Sequence, residues 1–191
     1  METVNNKWAL IVRGFFLIGI GILLFTISQN STKNLVLLFS LLTFLAGIAG
    51  FEFATANKTN QLKSNWLMLE SGADISFSIV AIFFYLKSAD LTVDFLTAFA
   101  SFALLFAFLQ VIYIFQLAQI GLIPNIKIIV VRLILSWVFG LFGIILLFKS
   151  SFPGVTTSLI NFIGIGPLLA GVSLLILSSK MYIINKNPKI N

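Results

Sequence analysis

The chain contains no cysteine and no histidine. The first absence excludes disulfides and thiolate nucleophiles, and the two together exclude the usual zinc sites and haem ligation through either side chain. Without histidine the chain also lacks the commonest general acid/base and the side chain that titrates near neutral pH. Charge is scarce as well. Charged residues make up 9% of the 191 residues, where a soluble domain carries roughly 25% to cover its surface. Hydrophobic residues make up 59% and the mean hydropathy is +1.09, which excludes a water-soluble fold. Only four prolines interrupt the chain. The formal charge of +6 is carried by 12 Lys/Arg against 6 Asp/Glu. The basic residues sit at segment ends and form no basic stripe, so no nucleic-acid partner is expected.

What is present is a series of six long apolar runs, each near the ~20 residues a helix needs to cross a bilayer. They predict an all-α, polytopic membrane protein with spans over 8–28, 35–56, 66–86, 95–117, 128–148 and 155–178. The separators QNSTKN, NKTNQLKSN, KSADLTVD, AQIGLIPNIK and KSSFPG are short and rich in turn-forming residues. The first run follows Lys7, but it is too long for a signal-peptide core and ends in no small-x-small cleavage site. It is therefore expected to remain as a helix. Phenylalanine, at 21 residues, far outnumbers the three Trp and three Tyr. Phe suits the lipid interior, while Trp and Tyr prefer the interface.

With six spans both termini share a side. Lys7, Arg13, Lys58, Lys63, Lys127, Arg132, Lys180, Lys186 and Lys189 fall on that side, and Lys33, Lys87 and Lys149 on the other. By the positive-inside rule both termini are expected in the cytoplasm, with the basic tail 179–191 along an anionic leaflet. The abundance of Phe, Ile, Asn and Lys points to an AT-rich bacterial genome, hence to a multi-pass protein of a bacterial plasma membrane.

The odd-numbered runs resemble one another. Aligning Gly21–Phe25 with Gly143–Leu147 places Ser136 on Gly14, and laying Trp66 on Trp8 places Gly72 on Gly14. This predicts three two-helix repeats over 8–56, 66–117 and 128–178, with Gly14, Gly21, Gly72, Ser136 and Gly143 as helix-packing positions. Small residues let membrane helices approach closely where no hydrophobic force drives them together. Pro167, flanked by Gly164 and Gly166, predicts a kink in the last span.

A Trp, an aliphatic run, Arg-Gly, a second Gly and an aliphatic stretch closing in Phe is carried here by Trp8, Arg13, Gly14, Gly21 and Phe25, with echoes at Trp66, Gly72, Gly143 and Phe148. This layout resembles the HdeD-like acid-resistance membrane proteins. The second unit departs from it, with Glu70-Ser71 before Gly72 where the first has Val12-Arg13. The resemblance implies a six-helix inner-membrane protein linked to acid stress, and it brings no catalytic residue and no cofactor with it.

Five ionisable residues interrupt the spans: Arg13, Glu52, Glu70, Asp74 and Arg132. At about 1.5 Å per residue, Arg13 and Arg132 lie roughly 8 Å in, Glu52 and Glu70 roughly 6 Å, and Asp74 about 12 Å, all from the same side. A lone charge near mid-bilayer costs about 2.5–3.5 kcal/mol or more, so these five are expected to meet in one layer with one carboxylate in surplus. Glu70 and Asp74 share a helix face with Ser71 and Ser78. Gln110, Gln116, Asn161 and Tyr113 are expected to hydrogen-bond between helices.

Three functional readings remain open. One is a non-enzymatic stress-resistance membrane protein, in which the carboxylates answer to protons. Another is a small transporter or channel built around the charged layer. The third is an accessory subunit, packed against a copy of itself or another membrane protein. An enzyme is not expected: the carboxylates are few and close to arginines, no metal cluster forms, and no loop supplies a motif.

Overall fold

In hydrocarbon no water is present to satisfy backbone N–H and C=O groups, so each apolar run closes its hydrogen bonds within itself as a helix. The computed structural model describes residues 6–25, 32–57, 64–87, 91–119, 126–148 and 164–186. Among them are six helices: α1 (Lys7–Phe25), α2 (Thr32–Ala56), α3 (Ser64–Lys87), α4 (Leu91–Gln119), α5 (Ile126–Leu147) and α6 (Ile165–Lys186). The first five are long and apolar enough to cross a membrane. The chain is thus an all-α polytopic membrane protein. In α6 the apolar part is the shorter stretch Ile165–Ile176. The first residues of the expected last span, 155–163, lie outside the described residues.

One expectation changes here. The helix of the last span continues through Lys186, so the sequence 179–186, read as the start of a polar tail, is helical. Pro167 sits in the first turn of α6, where a missing N–H disrupts nothing. The residues before 164, which the expected kink would join to this turn, lie outside the described residues.

The helices touch in a closed circuit, α1 to α2 and onward to α6, which returns to α1. The closest partners are α6 with α1, α2 with α3, and α4 with α5. These three antiparallel interfaces carry one spacing. On α1, a methyl added to Gly14 would stand 3.1 Å from the Gly171 carbonyl oxygen, and one on Gly21 would stand 2.8 Å from that of Gly164. On α3, Ser71 presses its carbonyl within 3.0 Å of where a Gly47 methyl would be, and Ser78 Oγ donates to the Ser40 carbonyl at 2.7 Å. On α5, Ser136 Oγ donates to the Ala107 carbonyl at 3.0 Å, and Gly143 lies against the Ala100 carbonyl, 2.9 Å from a methyl there. Each contact pairs a small residue with a backbone carbonyl, and the two contacts of every interface lie seven residues apart on both helices, about two turns. Any larger side chain at these points would push the backbones apart.

This register corrects one sequence expectation. The α3 residue packed at the position of Gly14 is Ser71. Gly72 has nothing within 4 Å of an added methyl and faces away from the interface. Matching the tryptophans shifted the alignment by one residue, which turns a helix by about 100°.

Within the circuit, phenylalanine fills the centre rather than only facing lipid. Phe39, Phe77, Phe95, Phe99, Phe106 and Phe139 are buried. Phe77 stacks on Phe102 with ring centroids 4.5 Å apart, and Phe106 meets Phe139 at 4.6 Å.

Candidate functional site

Six to ten residues into the odd-numbered helices, about 9–15 Å along their axes, the apolar core gives way to charge. Arg13 on α1, Glu70 and Asp74 on α3, and Arg132 on α5 converge, with Gln110 of α4 between them. All five are buried, Arg132 at 6% exposure being the least so. Asp74 lies one turn beyond Glu70 on the same face, so one guanidinium spans both. Arg13 Nη2 donates to Asp74 Oδ2 at 2.8 Å, and its Nη1 lies 3.5 Å from Glu70 Oε2. The first is a charge-assisted hydrogen bond, the second a looser ion pair.

Glu70 is the hub. Its Oε1 accepts from Gln110 Nε2 at 2.6 Å, from Trp66 Nε1 at 3.1 Å and from Arg132 Nη1 at 3.2 Å. Arg132 Nη1 also donates to Gln110 Oε1 at 2.7 Å. One carboxylate therefore ties together α1, α4 and α5 and the indole one turn back on its own helix. Two guanidiniums face two carboxylates, so the network is neutral as a whole. That balance is what lets four charges stay buried, since each alone would carry a large desolvation cost.

The fifth charge does not join. Glu52 on α2 is partly exposed and accepts from Asn6 Nδ2 at 3.2 Å at the end of the bundle. Asn6 has φ 51°, a left-handed conformation that Asn tolerates better than most residues. The α2 residue facing the network is Gly50, two positions earlier and so on a different side of the helix. A methyl on Gly50 would overlap Ser71 Oγ and stand 2.9 Å from Arg13 Cδ and 3.0 Å from Nε. The glycine thus makes room for the guanidinium stem. Arg13 Nε, pressed against it, has no hydrogen-bond partner among the described residues. Without Glu52 the expected surplus carboxylate disappears.

Sequence reading placed Gln110 among residues bonding between helices, and it does so here, inside the charged network. Trp66 and Gly50 were missed as members. Trp66 stands one turn before Glu70, a spacing that brings side chains together. Gly50 carries no comparable signal. The hydroxyls of the expected polar stripe on α3 are engaged elsewhere: Ser71 Oγ donates to the Leu67 carbonyl at 2.6 Å, and Ser78 bonds across to α2. The side chains of Gln116 and Tyr113, and Asn161, lie outside the described residues.

Among the described residues little open space surrounds the network. A cavity of about 20 Å³ lies beside Asp74 and Thr43, and one of about 10 Å³ beside Arg13, Glu70, Gln110 and Arg132. Neither has room for more than about one water. Phe39, Phe99, Phe102, Phe106 and Phe139 line the first and block the bundle axis beyond Asp74. Among the described residues no group of three or more acidic side chains could hold a metal, and both buried carboxylates are taken by guanidiniums. The arrangement binds helices together through charges that a proton can cancel. Comparison of the chain with protein-family models, with curated proteins and with solved structures finds no match.

Proposed function

We propose that the chain is a non-enzymatic, HdeD-like plasma-membrane protein serving acid or general stress resistance, built of three two-helix units with both termini in the cytoplasm. The observation that carries the reading is the position of Glu70, whose carboxylate holds donors from α4 and α5 and faces Arg13 of α1. A proton on Glu70 or Asp74 removes the counter-charge of a buried arginine. The arginine must then move toward water or the helices around it must part, because an unpaired charge in this setting costs about 3–5 kcal/mol. The network thus turns a proton load into a change in how α1, α3, α4 and α5 pack. The recurring small-residue spacing of the three close interfaces supports the three-unit reading, and the nine-to-three distribution of Lys/Arg supports the orientation.

The test is survival of an acid challenge in a host that depends on this protein. Asp74→Asn and Glu70→Gln, alone and together, are expected to lower survival at equal expression. Wild-type survival of the double variant would remove the proposal. The blocked axis argues against a central conduction path, and liposomes containing the protein are expected to show no proton flux above empty controls.

A further inference from the structure

A groove of about 760 Å³ opens sideways between α3 and α4. It runs from Met68 to Phe84, about 24 Å along the helix, most of the ~30 Å hydrocarbon thickness. Its mean section is then about 30 Å². A hydrocarbon chain fits.

The small-residue contacts supply a register for asking whether any two-helix unit would leave such a groove. Gly72 stands where α1 has Phe15 and α5 has Trp137, Ala73 where α1 has Phe16, and Ala98 and Ser101 where α2 has Leu38 and Leu41. Phe15, Trp137, Leu38 and Leu41 are all exposed toward lipid. The groove is therefore carved by small residues particular to the second unit. Its wall is smooth: Thr97 Oγ1 donates to the Val93 carbonyl at 2.8 Å and Ser101 Oγ to that of Thr97 at 3.0 Å. Hydroxyls satisfied within their own helix make no polar demand on an occupant.

The end remote from the Arg13–Glu70 network is different. Asp94, in the first turn of α4, lines the groove there, and the exposed Lys87 closes α3 at the same end. A carboxylate in the groove and an ammonium at the same end of the helix pair complement the ammonium and phosphate of a zwitterionic, amine-bearing phospholipid. We infer that this groove is a binding site for one phospholipid of that class, with an acyl chain against Gly72, Ala73, Ala98 and Ser101 and its headgroup between Asp94 and Lys87.

The full chain, purified in detergent and stripped of lipid, is given phosphatidylethanolamine or phosphatidylglycerol and read by native mass spectrometry. The wild type is expected to retain one phosphatidylethanolamine per chain. Gly72→Phe combined with Ser101→Leu, which copies the bulk found in the first unit, is expected to weaken retention at least about tenfold at an unchanged melting temperature. Asp94→Asn is expected to abolish the preference for phosphatidylethanolamine while both lipids still bind. Equal retention by the wild type and the filled variant overturns the inference. So does a wild-type dimer that Gly72→Phe splits with lipid retention unchanged, which would make a second copy the occupant. If the filled variant does not fold, Ser76→Cys, the sole thiol in a chain without cysteine, carries the test. Added phosphatidylethanolamine is expected to slow its labelling by a lipid-soluble maleimide at least about tenfold, and unchanged labelling refutes the site.

Discussion

Glu70→Gln isolates the charge of the hub while keeping its shape. The amide has one acceptor and one donor end. Three donors converge on the Oε1 position, so the acceptor end turns there and the NH₂ is left facing Arg13 Nη1, donor against donor. Arg13 keeps Asp74 at 2.8 Å, whereas Arg132 exchanges its carboxylate for a neutral amide oxygen beside that of Gln110. A buried positive charge thereby loses its counter-charge. Breaking a buried pair by removing one partner costs about 3–5 kcal/mol, in line with the about 2.5–3.5 kcal/mol insertion cost of an arginine at a helix centre. For a chain of 191 residues, at about 2–4 °C per kcal/mol, the melting temperature should fall by about 6–20 °C. Thermal unfolding in detergent micelles measures it. The decisive control is Glu70→Gln with Arg132→Gln. Removing both charges restores neutrality, so the double variant should lose less than the sum of the singles, with a coupling of at least about 1 kcal/mol. A drop below about 2 °C for Glu70→Gln, or strict additivity of the pair, would show that the network does not hold its charges as argued.

Two glycines should respond in opposite directions to the same change. Gly50→Ala drives a methyl into Ser71 and the Arg13 stem and should destabilise by about 1–3 kcal/mol. Gly72→Ala meets nothing and should stabilise by about 0.5–1 kcal/mol through helix propensity; opposite signs in one thermal-shift assay check both. Ser78→Ala deletes the bond to the Ser40 carbonyl and should cost about 0.6 kcal/mol, the mean for hydrogen bonds between membrane helices, with a loss above about 2 kcal/mol contradicting that assignment.

Much of the site could be read from the chain because buried charge is so costly that it must find a partner. Arg13, Glu70 and Arg132 lie at matching depths on odd-numbered helices, with Asp74 one turn deeper on the face of Glu70, so helical rise and periodicity place them together. Glu52 has a similar depth but lies on another side of α2, and depth says nothing about rotation. The same blindness misplaced Gly72: a one-residue slip leaves hydropathy unchanged but turns the helix by about 100°. Gly50 could not have been found, since its part is to have no side chain where Arg13 passes.

Composition and run length, by themselves, determined that this chain lives in a bilayer as helices, because a stretch of some 20 apolar residues has no other way to satisfy its backbone in hydrocarbon. Lipid and protein interior are equally apolar, however, so hydropathy cannot tell which face of a helix points inward. Only the tertiary structure decided that Ser71 packs and Gly72 opens a groove, that phenylalanines close the axis, and that two arginines and two carboxylates, with Gln110 between them, form one neutral network while Glu52 stands apart.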